Sequence, residues 1–517
     1  MVLPLLLPLV PAPVSSTVDE GVLPLLAVPG VHGDRAAAAL LVDAVARRTG
    51  IRLAEAGTGI ALRIDPAVAA PEGYLLTVAD HVEITGADAA GLFYGIQTLL
   101  QLLRQDENGA WEWQRARIAD APRFGYRGVM LDVARHFFTV DEVKTVIDRC
   151  AALKFNHLHL HLSDDQGWRI HIDSWPLLSE RSSTASATGD GSGSHDEGAG
   201  ARGSGGGCYS KADYREIVAH ATSRHVTIVP EIDMPGHTHA IGLAYPELAE
   251  DPVMNENLLD DAQRLGHALP EAGAVYTGWG VGHSSLRIRD ERTYDFIRDV
   301  LTELAEMTPG PYLHIGGDES LGTSPEDFTC FIARATRIVT DLGKTPIAWH
   351  EAGAAEVAPG TIGQYWGLLE PSPEHAAHAT RFVDRGGRII LSPSDAAYLD
   401  MKPAPDFPLG LAWAGIVDMH RAYGWEPDAV LDVPADAVAG IEAPLWTETV
   451  TSLADAEQLM YPRIAALAEL AWSAPETSDS ESGDSGSFGE RLGRMAPLWR
   501  ADGIRFHAPT EIVWSER

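Results

Sequence analysis

The 517-residue chain is 45% apolar and 22% charged, an ordinary globular balance, and is long enough for two or three domains. Its 73 acidic residues outnumber 39 basic ones, and the formal net charge of −34 argues against nucleic-acid or anionic-membrane partners in favour of a neutral one. The three cysteines, Cys150, Cys208 and Cys330, are too scattered for a disulfide framework or a zinc site, and no apolar run reaches the ~18 residues of a membrane span.

The opening MVLPLLLPLVPAPVSS is apolar but lacks a basic start, and four prolines interrupt it before residue 14. It is expected to be an extended first segment rather than a signal peptide, which favours a cytoplasmic over a secreted location. Residues 1–121 predict a small α+β domain. Asp34 stands where a helix cap belongs and Gly50 where that helix would stop. Strand-like runs follow at 60–64, 73–78 and 81–85, and then Ala90, Phe93, Ile96, Leu100 and Leu103 recur at helical spacing. No cluster of reactive side chains occurs here, so a supporting domain is expected.

At APRF (121–124) the pattern changes to alternating strands and helices, which defines a second domain over 122–517. Strand-like segments fall at 125–134, 155–163, 225–233, 311–319, 345–351, 361–366, 388–393 and 439–448, with helical patterns such as 140–154 and 212–225 between them. Eight such units predict an α/β fold, a (β/α)8 TIM barrel, with its active site at the C-terminal strand ends. The Ser/Gly/Ala-rich tract 181–207 and the acidic tract 477–487 are expected to be mobile surface loops. The connection 234–310 is expected to cross one face of the barrel. Its GWGVGH (278–283) makes a poor phosphate loop, because no lysine follows. An amphipathic stretch at 490–504 should pack on the barrel exterior.

The chemistry centres on YLHIGGDES (312–320), in which a buried-strand pattern meets two glycines and then the adjacent acids Asp318 and Glu319. The other strand ends carry Arg135 and His136, Asp164 and Asp165, Asp233 with His237, Trp349 and Glu351, Trp366, Tyr398 and Asp400, and Trp446 and Glu448. Tryptophans and acids gathered at one barrel mouth suit a sugar, which offers apolar C–H faces and a rim of hydroxyls.

The segments RGVMLDVARHFF (127–138), HLHLSDDQGWR (159–169), PEIDMPGH (230–237), HIGGDE (314–319), WHE, QYW, YLD (398–400) and LWTE (445–448) together resemble glycoside hydrolase family 20, the β-N-acetylhexosaminidases. The resemblance implies exo-acting, retaining hydrolysis of terminal N-acetylglucosamine or N-acetylgalactosamine, in which the sugar's 2-acetamido oxygen is the nucleophile. It assigns Glu319 as general acid and base, Asp318 as the carboxylate that orients the acetamido group, and Tyr398 as its hydrogen-bonding partner. Trp349, Trp366 and Trp446 would wall the acetyl pocket, with Trp413 near the next sugar. Arg135, Asp400 and Glu448 would hold ring hydroxyls, with Asp164 and His237 as polar support. No metal or cofactor is implied.

Two other classes remain open from the sequence. His157, His159 and His161 alternate along one strand and could hold zinc in a metal-dependent barrel hydrolase, although only His161 nears the catalytic end. A sugar-binding relative without catalysis is the other, and the intact Asp318–Glu319 pair and Tyr398 speak against it.

Overall fold

The computed structural model describes residues 7–68, 70–187, 206–474 and 485–516. They fall into two units: the described residues of Met1–Arg127, Arg149–Phe155 and Met460–Arg517, and those of Gly128–Asp148 and Asn156–Leu459. The tracts 181–207 and 477–487 lie outside the described residues over 188–205 and 477–484, and a helix begins at Ser485. Among the described residues no helix is long and apolar enough to cross a membrane.

In the first unit a seven-stranded sheet runs in the order Ser15–Pro24, Trp111–Asp120, Tyr74–Val78, Val82–Gly86, Gly59–Ile64, Gly30–Gly33, with Leu103–Gln105 also pairing to Trp111–Asp120. The helix Arg35–Thr49 starts where Asp34 accepts a bond from the Ala37 N–H at 2.9 Å and ends at Gly50, which has φ +73°. The helix Ala89–Gln101 buries Leu92, Phe93, Ile96, Leu99 and Leu100. Segment 490–504, expected on the barrel, belongs to this first unit, where Asp502 pairs with Arg48 at 2.9 Å.

The second unit is built on a closed barrel whose eight strands follow chain order. They are β1 (Tyr126–Asp132), β2 (His157–His161), β3 (Thr227–Glu231), β4 (Tyr312–His314), β5 (Thr345–Trp349), β6 (Ile362–Tyr365), β7 (Ile389–Leu391) and β8 (Val438–Leu445). Every residue of β1, β2, β6, β7 and β8 is buried, as expected of parallel strands covered on both faces. Helices such as Lys211–Ser223, with a Ser210–Asp213 capping box, and Pro325–Asp341, capped by Ser324, close the α/β units. Register places Asp132 beside His161, His161 beside Glu231, and Glu231 beside His314. The barrel core is therefore polar at this level, immediately below the strand ends.

Candidate active site

The turn after β4 has a shape that only particular residues tolerate. Gly316 and Gly317 sit at φ +69° and +100°. A Cβ on Gly316 would lie 1.7 Å from Asp233 Oδ1, the oxygen that accepts the Gly317 N–H at 3.1 Å. Glu319 and His237 are themselves left-handed at φ +42° and +55°. Such residues cost about 1–3 kcal/mol each and persist where their surroundings fix them, as at functional sites. The turn brings Asp318 and Glu319 to the wall of a cavity of about 730 Å³, together with Arg135, His237, Trp366, Tyr398, Asp400, Trp413, Trp446 and Glu448. That size accommodates one or two sugar rings.

His237 links this pair to the polar core. Its Nε2 lies 3.8 Å from Asp318 and 3.7 Å from Glu319, while Nδ1 bonds Asp164 at 3.0 Å. Asp164 also takes His161 Nε2 at 2.6 Å and the Arg135 guanidinium at 2.8 Å. Arg135 is further held by Gln166 at 3.1 Å and stacks over the Trp446 ring at 4.9 Å. A guanidinium gripped this way points its remaining donors without conformational freedom.

The charge states differ sharply from those of free side chains. Burial pushes the Glu319 carboxyl up to about 7; His237 opposes the rise, and the neighbouring Asp318 charge adds to it. About a third of the Glu319 side chain is open to the cavity, so the acid is reachable. Burial alone would make His237 less basic, but Asp164, Asp233 and Asp318 together raise it well above the usual imidazole range. Burial disfavours a charged Asp164 as well, yet Arg135 and His237 hold it well below the ordinary carboxylate range. Asp318 Oδ1 is buried and has no hydrogen-bond partner among the described residues. The site thus sets a carboxyl raised by burial to about 7 beside a buried carboxyl oxygen that has no partner among the described residues.

Not every residue singled out in the sequence borders the cavity. Trp349 is fully buried, donating its indole N–H to Glu231 at 2.9 Å and lying 6.0 Å behind Trp446. Asp164 also lies beneath the wall and reaches the cavity through His237 and Arg135. Conversely, the connection 234–310 supplies wall residues that the sequence did not assign to the site, namely Trp279 and Val281 of the GWGVGH segment set aside as a phosphate loop, and the helix Glu256–Leu265 with Asn257, Asp260, Asp261 and Arg264. A tryptophan standing in a glycine-rich loop was the available signal.

The strand-two histidines are engaged elsewhere. His159 bonds Glu442 at 2.9 Å and Glu231 at 3.0 Å, His161 bonds Glu231 and Asp164, and His157 bonds Asn156 at 2.6 Å. His159 and His161 thus serve as hydrogen-bond partners for buried carboxylates, and His157 belongs to a separate contact.

Comparison with known proteins agrees with this architecture. Residues 124–475 match the profile of glycosyl hydrolase family 20, catalytic domain, and residues 7–121 that of glycosyl hydrolase family 20, domain 2. A β-N-acetylhexosaminidase of Cellulomonas fimi is 38% identical over 92% of this chain and 89% of its own. Among solved structures, a glycoside hydrolase family 20 β-N-acetylglucosaminidase superposes with TM-score 0.87 at 50% identity, covering 99% of this chain and 100% of that one. The Streptomyces plicatus N-acetyl-β-hexosaminidase in complex with Thio-NAglucal gives 0.86 at 42% identity, over 98% of both chains. This chain belongs to glycosyl hydrolase family 20 and is a glycoside hydrolase of the β-hexosaminidase kind.

Proposed function

We propose that the protein removes terminal β-linked N-acetylglucosamine or N-acetylgalactosamine with retention, using the substrate's own 2-acetamido group as nucleophile. The observation that carries this is the adjacent pair in one cavity: Glu319, its carboxyl raised by burial to about 7, beside Asp318 with a buried oxygen that has no partner among the described residues. In the first step the acetamido carbonyl oxygen bonds to the anomeric carbon as the glycosidic C–O bond breaks. Glu319 delivers its proton to the departing oxygen. In the second, the Glu319 carboxylate takes a proton from water as that water opens the cyclic intermediate from the face the leaving group vacated. Two inversions give net retention.

Asp318 accepts the acetamido N–H and offsets the positive charge that builds on the ring formed in the first step. Tyr398 hydrogen-bonds the acetamido oxygen. Trp366 and Trp446 wall the acetyl group, and Trp349 backs Trp446. Arg135, Asp400 and Glu448 hold ring hydroxyls, and the 55% exposed Trp413 presents a face to the next sugar. A pocket with the helix Glu256–Leu265 in its wall supports exo action on chain ends. The decisive comparison is an aryl β-N-acetylglucosaminide against the matching β-glucoside. An intramolecular nucleophile predicts a preference of at least about a thousandfold in kcat/KM for the acetamido sugar. Comparable rates would sink the mechanism.

A further inference from the structure

A carboxyl with no part in the steps above stands at the end of β5. Glu351 accepts the Trp366 indole N–H with both oxygens, at 3.1 and 3.0 Å. The two residues are fifteen positions apart in the chain but follow neighbouring strands, β5 and β6, which pair in parallel through Ile347–Ile362, Ala348–Gly363 and Trp349–Gln364. Trp366 borders the cavity and meets the exposed Trp413 edge to face, with ring centroids 6.0 Å apart at 77°. Trp413 in turn meets Tyr398 at 5.9 Å and 85°. A half-buried indole needs a fixed acceptor for its N–H to hold one orientation, and Glu351 is that acceptor.

We propose that Glu351 is a positioning residue that sets the orientation of Trp366 and, through it, of the Trp413 platform, so that one part-buried carboxyl aligns the aromatic wall of both the sugar pocket and the leaving-group side. This rests on the hexosaminidase assignment of the same cavity. Burial and the Asp318 charge raise the Glu351 carboxyl well above the usual range, so an uncharged acceptor suffices. A carboxamide should therefore replace it.

The test measures kcat and KM for Glu351→Leu and Glu351→Gln on an aryl N-acetylglucosaminide and on N,N′-diacetylchitobiose, with thermal melting of each variant. Glu351→Leu should raise KM on both substrates about tenfold, the effect of one lost ordering hydrogen bond, with kcat within about twofold of wild type. Glu351→Gln should restore wild-type KM. Trp366→Phe removes the N–H from the other partner and leaves the carboxyl in place. It should raise KM comparably, and combined with Glu351→Leu it should add no more than either change alone. Unchanged KM in Glu351→Leu or Trp366→Phe, a fall confined to kcat, failure of the glutamine to rescue, or full additivity of the pair would each overturn the proposal. Should Glu351→Leu not fold, Glu351→Met, which keeps the length of the side chain but offers no oxygen acceptor, takes its place with the same expected and overturning results. Because all arms are compared with active wild type, failure here leaves the acetamido-versus-hydroxyl comparison untouched.

Discussion

At the scale of single residues, Glu319 is tuned more by where it is than by what it is. Burial raises its carboxyl to about 7, and Asp318 beside it adds to the rise. The proposed first step needs the protonated acid. Rate should therefore be sustained below neutrality and fall as pH rises through about 7. Asp318→Asn removes the like charge, so the alkaline limb of kcat/KM should move to lower pH while the rate itself drops. The pH profiles of both enzymes on a substrate with a poor leaving group check this. A limb in the same place in the variant would mean that Asp318 does not act on Glu319 electrostatically. The histidines teach the complementary lesson. Their spacing on β2 also admitted a metal set; in the barrel His159 meets Glu231 and Glu442, His161 meets Glu231 and Asp164, and His157 meets Asn156, so neighbours that the spacing does not reveal define what each ring faces.

At the scale of elements, the turn after β4 does the positioning. Gly316 combines a left-handed backbone with an approach to Asp233 that leaves no room for a methyl group. Gly316→Ala should cost at least about 2 kcal/mol and remove most activity, because either the turn or Asp233 must move. Thermal melting with turnover measures both. A variant that melts and turns over like wild type would show that the turn is not held by this contact. Part of this element was legible in the sequence: an alternating strand, two glycines, two acids. The identity of the colliding partner was not, because Asp233 follows the end of β3, more than eighty residues earlier.

At the scale of the whole molecule, the acidic bias reaches into the cavity itself, where Asp260, Asp261, Asp318 and Asp400 outnumber Arg135, Arg264 and His237, and Glu319 and Glu448, both raised by burial, add to the excess as they ionise. Together with a net charge of −34, this field should disfavour anionic sugars. A 6-sulfated N-acetylglucosaminide should show kcat/KM lower than the neutral sugar by about tenfold or more at low ionic strength, with the gap narrowing as salt screens the field over a Debye length of about 10 Å at 0.1 M. A gap insensitive to salt would point to steric exclusion instead.

The sequence by itself determined what depends on near neighbours. Asp34 and Gly50 bounded a helix, the period of apolar residues marked eight strands separated by helices, and IGGDE marked a turn that presents two acids. What only the tertiary structure decided are relations between residues distant in the chain. Strand Ser15–Pro24 finds Trp111–Asp120, and Trp349 goes beneath Trp446 rather than beside it. Helix Glu256–Leu265 reaches the cavity wall, and Glu351 meets Trp366. Local pattern carries hydrogen-bond period and burial face, but depth within a barrel and the partner across it follow from strand register and closure, which no window of neighbouring residues contains.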